Sequence, residues 1–314
     1  MADFLHNHKS FKDLLLILEA EKGIVPGLLE KDYWIMHVLF GLKKAGLSFE
    51  LKGGTSLSKG LGIINRFSED IDIRINPPVE LKVNETGTKN NAIKSRFRFY
   101  DWLTATLKID GIFKVERDHE FDSQNGKSGG IRLFYDPVTD IVKDLKPGIL
   151  LEAGFDQVTP NKPADISSWA LEKAKAIIGT SFIDNTAREI PCYDMRYTFV
   201  EKLQTIVTKF RQEMVDGMER KNYMRQYYDV YCLLQFQEVQ EFLGTDEYLT
   251  HKEKRFPKID KSTEIQNNEA FFLSSDEIRS TFRERYQATS SLYYQGQPDF
   301  DTVIEGIRKY LPLM

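Results

Sequence analysis

The sequence predicts an α+β fold, with a mixed sheet in the front half and helices behind it. Short apolar runs of strand length, punctuated by Gly and Pro, fall before about residue 160. From Trp169 onward almost every apolar pattern recurs at three and four residues. The 314 residues are 41% hydrophobic and 29% charged, proportions of a soluble globular chain that exclude collagen-like and largely disordered classes. A single core stops growing at roughly 250 to 300 residues. Two domains are therefore expected, 1–165 and 166–314.

Leu14, Leu15 and Leu18, then Leu28, Leu29, Tyr33, Met36, Leu39 and Phe40, give two helices separated by a turn at Pro26. Phe49 to Lys52 reads as a strand stopped by Gly53-Gly54. Leu57 to Ile64 reads as a brief helix, and Ile71 to Ile75 as a strand ended by Pro77-Pro78. Residues 81 to 95 read as an exposed connection and Phe97 to Leu107 as a helix. Ile112 to Glu116, Ile131 to Tyr135 and Ile149 to Phe155 are further strands. Helices are predicted over Trp169 to Ile178, Phe199 to Met214, Tyr223 to Phe236, Ser275 to Tyr286 and Phe300 to Tyr310.

A formal charge of -4 excludes a uniformly basic nucleic-acid coat, though not a local basic patch. Two cysteines, Cys192 and Cys232, are too few for a disulfide framework or a cysteine-rich zinc site. No signal-peptide core opens the chain and no apolar stretch reaches membrane-spanning length, so a cytoplasmic protein with no membrane partner is expected. The five histidines lack zinc-ligand spacing, and no Ser/His/Asp order or Walker-type loop occurs.

The chemistry concentrates in Gly53-Gly54-Thr55-Ser56-Leu57-Ser58 and Arg66-Phe67-Ser68-Glu69-Asp70-Ile71-Asp72-Ile73. Side chains alternate along a strand, so Asp70 and Asp72 share one face while Ile71 and Ile73 enter a core. Two close carboxylates repel unless a cation offsets them, and oxygen-only ligands suit Mg2+ or Mn2+. An isolated Asp-x-Asp also fits a solvent-facing strand surface. The glycine pair admits a conformation or close approach that a Cβ hinders. Thr55 and Ser56 at the following helix start offer donors for phosphate, although they also fit an ordinary strand-to-helix cap.

These two runs resemble the first motif of the AbiEii/AbiGii-type nucleotidyltransferases, toxins of type IV toxin-antitoxin and phage-abortive systems in the DNA polymerase β-like superfamily. Glu30-Lys31-Asp32-Tyr33-Trp34 is similar to that family's N-terminal helix. Glu201-Lys202-Leu203-Gln204-Thr205-Ile206 and Arg225-Gln226-Tyr227-Tyr228-Asp229-Val230-Tyr231 resemble its C-terminal motifs, so the likeness spans about 28 to 236. It implies a polymerase-β-like domain followed by a helical domain closing a nucleotide cleft.

It also implies a third carboxylate on a neighbouring strand. Glu152, in the apolar run 149–155, is the candidate because a charge there needs a partner or a cation; Glu116 and Asp156 are the alternatives. By the same resemblance Asp70, Asp72 and Glu152 hold the metal, and Gly53, Gly54, Thr55 and Ser56 cradle phosphate. Lys202 contacts the nucleotide phosphates. Asp229 orients Lys202 or the nucleotide, with Tyr227, Tyr228 and Tyr231 packing beneath or stacking on a base. Without the family, Lys202 reads as a lysine bordering an apolar face, and Arg225 with Asp229 as an i,i+4 pair. Basic windows from Lys202 to Arg225 and from His251 to Lys261 suit an RNA backbone or a solvated helix face.

The expected activity is metal-dependent transfer of NMP from an NTP to an acceptor such as a tRNA 3' end, by a growth-arresting toxin with a cognate antitoxin. The alternatives are a catalytically silent nucleotide-sensing or partner-binding protein and a nucleotidyltransferase of small molecules such as antibiotics.

Overall fold

The computed structural model describes residues 2–140, 142, 145–177, 182–262 and 264–314. Its order is α1 (Phe11–Lys22), α2 (Pro26–Lys44), β1 (Ser48–Lys52), α3 (Gly53–Thr55), β2 (Asp70–Asn76), α4 (Asn90–Thr106), β3 (Ile112–Asp118), β4 (Ser128–Tyr135), β5 (Ile149–Gly154), β6 (Asn161–Ile166), α5 (Trp169–Ile177) and β7 (Ala187–Tyr193). Helices follow: α6 (Met195–Asp216), α7 (Met224–Leu233), α8 (Gln237–Phe242), α9 (Asp246–Arg255), α10 (Glu269–Phe272), α11 (Asp276–Gln287) and α12 (Phe300–Arg308). A mixed sheet followed by a predominantly helical region is the expected α+β class, and it matches a polymerase-β-like domain with a helical domain.

The chain forms two compact units. One holds residues 1–61 and 67–193; the other holds 62–66 and 194–314. The first therefore runs past the expected 165/166 division, because β7 joins the sheet and α5 packs on α1 and α2.

In the first unit seven strands lie in the order β3-β4-β5-β2-β1-β7-β6. Strand β2 is central, antiparallel to β1 and parallel to β5. It alternates as expected: Ile71, Ile73 and Ile75 are fully buried, whereas Asp70, Asp72 and Arg74 are partly exposed. Pro26 opens α2 at its first turn, where a missing N–H costs nothing, and α2 lies against β2, β5 and β7. Its burial on several sides explains why its apolar pattern runs around the helix.

Two predicted elements shift, and two strands were not foreseen. The helix expected over 57–64 begins at once after β1, as α3 continuing into a wider π-type turn at Ser56–Gly60, and Ile63 and Ile64 are not helical. The connection expected over 81–95 is shorter because α4 starts at Asn90. Strands β6 and β7 were not predicted, since Pro163 and Pro191 interrupt their patterns; β6 is an edge strand, where proline is tolerated. The helix predicted over 169–178 is observed to Ile177, and residue 178 lies outside the described residues.

In the second unit, Asp194 caps α6 by accepting from the Arg196 N–H, and Gly217 ends it in the left-handed conformation. Helix α6 packs against α7 and α9, and α7 against α12. The short segment 62–66 belongs here by hydrogen bonding: Asn65 N–H donates to the Tyr228 hydroxyl (3.2 Å), and the Tyr294 hydroxyl donates to the Ile64 carbonyl (3.1 Å). No helix among the described residues is long and apolar enough to cross a membrane.

Candidate active site

The register of the central strands assembles the acidic site. Asp72 stands opposite Glu152 on β5 and opposite Lys52 on β1, and Asp70 stands opposite Leu150. Directly opposed residues share a sheet face, as do residues two apart, so Asp70, Asp72 and Glu152 project together. Leu51, Ile71, Ile73, Leu151 and Ala153, all essentially inaccessible, point the other way and fix that presentation.

Burial pushes the Glu152 carboxyl up to about 8, and the charges of Asp72 and Asp70 add to the shift, while Lys52 and Lys146 oppose it. Among the described residues, no three His, Cys, Asp or Glu side chains are already gathered tightly enough to hold a metal ion. Of the two alternatives to Glu152, Glu116 lies on β3 opposite Arg132, ion-paired with Lys114 and away from β2. Asp156 falls after the end of β5.

The glycine turn is built against the same carboxylates. Gly53 has φ +73°, and a Cβ there would lie 2.2 Å from Asp72 Oδ2, so conformation and space both require glycine. The Thr55 hydroxyl donates to the Asp70 carbonyl (2.6 Å), which ties the helix start to β2. Ser56 is fully buried, and its hydroxyl makes no hydrogen bond among the described residues. Both hydroxyls expected to meet phosphate thus face protein, and Thr55 acts on the position of Asp70.

Gly53→Ala is expected to lose about 1–2 kcal/mol from backbone strain alone and to displace the Asp72 carboxylate. Gly62 has φ +65° with nothing within 4 Å of an added Cβ. Gly62→Ala should therefore show similar destabilisation in thermal unfolding while keeping whatever activity Gly53→Ala loses. Equal activity in the two variants would deny the close approach a role.

Three charged residues of α2 are buried beside this site. Glu30, Lys31 and Asp32 are each no more than 3% exposed. Glu30 accepts from the N–H groups of Val138 (2.9 Å) and Thr139 (3.0 Å). Lys31 Nζ donates to the Lys146 carbonyl (2.7 Å) and lies 4.0 Å from Glu69. Burial lowers the Lys31 pKa, against the pull of Glu69 and Asp70. Asp32 takes Lys59 of the turn that follows α3 (2.8 Å) and the Trp169 N–H (2.9 Å), with Lys59 lying over the Trp169 ring at 3.9 Å. These residues brace the glycine turn and, in the loop after β4, Val138, Thr139 and Lys146. Lys59 and the loop are far in sequence, so local pattern could not reveal the pairing.

The second unit carries its own cluster. Asp229 is wholly buried and receives Arg66 through Nε (2.7 Å) and Nη2 (2.7 Å), together with Lys202 Nζ (2.9 Å). Burial would raise the Asp229 carboxyl, but Arg66 and Lys202 outweigh it and hold the group below the usual carboxylate range. Asp229 is thus ion-paired with both Arg66 and Lys202. Arg66, quoted in the first motif without a role, is the partner that sequence reasoning missed. Base stacking by Tyr227 is corrected: it is fully buried, and its hydroxyl donates to the Ala270 carbonyl (2.8 Å). Tyr228 is also buried, 4.8 Å from the Tyr293 ring, and Tyr231 packs against Gly306.

No curated protein matches the chain. The family model described as nucleotidyl transferase AbiEii toxin, type IV TA system, matches residues 37–306. That span contains the glycine turn, the three strand carboxylates and the Arg66–Asp229–Lys202 cluster, and so covers both units. A match over most of the sequence, together with a central sheet whose register gathers the motif's carboxylates, shows that this chain belongs to the AbiEii family of nucleotidyl transferase toxins.

Proposed function

We propose that the protein is a divalent-metal-dependent nucleotidyltransferase that transfers NMP from an NTP to the 3' end of an RNA such as tRNA, and that this arrests growth unless a cognate antitoxin opposes it. The observation that carries this reading is the register placing Asp70 and Asp72 of β2 and Glu152 of β5 on one face, with Gly53 closed against Asp72. We place the reaction in the cytoplasm, where NTP and RNA meet.

Asp70, Asp72 and Glu152 would hold Mg2+ or Mn2+; their donors are all carboxylate oxygens, the set such ions take. When bound, the ion would offset charge on the phosphates and on the reacting oxygens. Main-chain N–H groups at Gly53 and Gly54 approach the nucleotide phosphates, since glycine leaves the backbone open to them. The Thr55 hydroxyl positions Asp70 from behind, and Ser56 anchors the turn. Lys202, steadied by Asp229, contributes the phosphate contact that the resemblance assigns it.

The acceptor 3'-oxygen bonds to the α-phosphorus and the bond from that phosphorus to the α,β-bridging oxygen breaks. Pyrophosphate leaves with the electron pair, and the hydroxyl proton passes to an oxygen of Glu152, which a cation held by the three carboxylates would keep ionised despite its burial.

The direct test supplies each α-labelled NTP with Mg2+ or Mn2+ and follows label into total RNA, total protein and small molecules. Label in RNA supports the reading, whereas label confined to small molecules or absent altogether overturns it. Glu152→Gln is expected to cut single-turnover rate by about a hundredfold or more while changing NTP affinity little, as for a group that accepts the acceptor's proton. Full activity in that variant would remove Glu152 from the reaction.

A further inference from the structure

A cavity of about 240 Å³ lies between α2, the end of β4, residues 137, 139, 140, 142 and 145–147 of the loop that follows, and the start of β5. Phe134, Tyr135, Val142 and Leu145 supply apolar walls, and Lys31 and Lys146 add two cations. Four residues of that loop, Val138, Thr139, Val142 and Lys146, meet α2. Glu30 takes the Val138 and Thr139 N–H groups, Lys31 takes the Lys146 carbonyl, and a Cβ on Gly27 would come within 2.5 Å of Val142 Cγ2. Tyr135 is stacked on Trp34, with ring centroids 4.7 Å apart. Lys31 is 3% exposed, an unusual setting for a lysine unless its charge serves a neighbour.

Position relative to the carboxylates gives the cavity its meaning. In the strand order β4-β5-β2-β1, the glycine turn follows β1 on one side of β2, whereas the cavity belongs to β4 and β5 on the other. Glu152 lies on β5, the strand whose start borders the cavity. Phosphoryl transfer requires the attacking and leaving oxygens to be roughly in line through phosphorus. With the triphosphate against the glycine turn, pyrophosphate departs on the β1 side and the acceptor oxygen must enter from the β5 side, past Glu152.

We propose that this cavity receives the 3'-terminal nucleoside of the RNA acceptor, its base between the apolar and aromatic walls and its phosphodiester beside Lys31 and Lys146. The inference rests on the nucleotidyltransferase reading above and adds to it where the acceptor sits. At about 240 Å³ the cavity is smaller than most ligand sites, which limits it to a single base with the sugar at its mouth, and aromatic walls bind any base by stacking. Two lysines next to an apolar chamber match the charge of an RNA end.

The test uses the full chain and a short single-stranded RNA whose 3'-terminal base is 4-thiouridine. Irradiation should attach that base to residues 134–148, and Leu145→Trp, which fills the chamber, should abolish the attachment. Steady-state transfer by Leu145→Trp and by Lys146→Ala should show the KM for RNA raised about tenfold or more, with affinity for a non-hydrolysable NTP analogue unchanged. Attachment elsewhere with unchanged KM overturns the proposal. Loss of NTP affinity in either variant overturns it too, by making the chamber the site of the incoming base. Should Leu145→Trp fail to fold, the wild-type attachment map and Lys146→Ala still decide. The attachment needs no turnover, so wild-type protein that binds RNA at the cavity but transfers nothing would defeat the reaction assignment alone.

Discussion

Asp72→Asn is expected to reduce NMP transfer by roughly a thousandfold or more while leaving the protein at least as stable as wild type. Asp72 is the carboxylate on which the site converges: it faces Glu152 on β5 and Lys52 on β1, and Gly53 lies against its Oδ2. Removing its charge weakens the hold on a cation that supplies several kcal/mol of transition-state stabilisation, and each 1.36 kcal/mol is tenfold in rate. The stability expectation has the opposite sign for an electrostatic reason. The charge of Asp72 is one of the influences that raise Glu152, so its removal relieves repulsion inside a partly buried acidic cluster. Asparagine keeps the volume, and Ile71 and Ile73 still lock the strand. Initial rates with α-labelled NTP and thermal unfolding together check both halves. Wild-type turnover would remove Asp72 from the chemistry, and a large loss of stability would show that the pair is held by contacts other than those described.

How much of this was legible in the sequence depends on the range of the interaction. The Asp70–Asp72 face followed from strand alternation, a local rule, and β2 displays it directly. Glu152 stood out because an apolar run of strand length contained a single charge, but its pairing with Asp72 depends on a parallel register between strands about 80 residues apart, which no local pattern encodes. Strands β6 and β7 escaped because proline hides alternation, and the extension of the first unit to Tyr193 was hidden with them. The buried Glu30-Lys31-Asp32 triplet ran against composition-based expectation, since charges are normally exposed unless paired, and their partners arrive from the glycine turn and the loop after β4. Arg66 had the same difficulty: it sits between the two halves of the most informative motif, yet its carboxylate partner is 163 residues away.

Asp229→Ala is expected to destabilise the second unit by about 3–5 kcal/mol, because it removes the carboxylate that two cations share in a fully buried setting. Arg66 is 3% exposed and grips both Asp229 oxygens, so the pair resembles a staple between segment 62–66 and α7. Lys202 is bound to the same carboxylate but is not required for that staple: Lys202→Met leaves the Arg66 contact intact and keeps an unbranched stem of similar length. Its effect on unfolding should therefore be well below that of Asp229→Ala. If Lys202 contacts nucleotide phosphates, Lys202→Met should nevertheless weaken NTP binding or turnover tenfold to a hundredfold, the size of about 1.5–3 kcal/mol for a charge-assisted hydrogen bond. Lys209, on the same helix, already donates to the Lys221 carbonyl (2.9 Å), and burial with the nearby charge of Lys202 lowers its pKa to about 8. It is a cation in a crowded basic region but lies outside the motif, so Lys209→Met is the control for a general loss of positive charge. Chemical denaturation separates the first effect and NTP titration the second. A Lys202→Met protein that binds NTP like the Lys209→Met control would assign Asp229 and both its partners to folding alone, and the nucleotide contacts would then have to come from the strand carboxylates and the glycine turn.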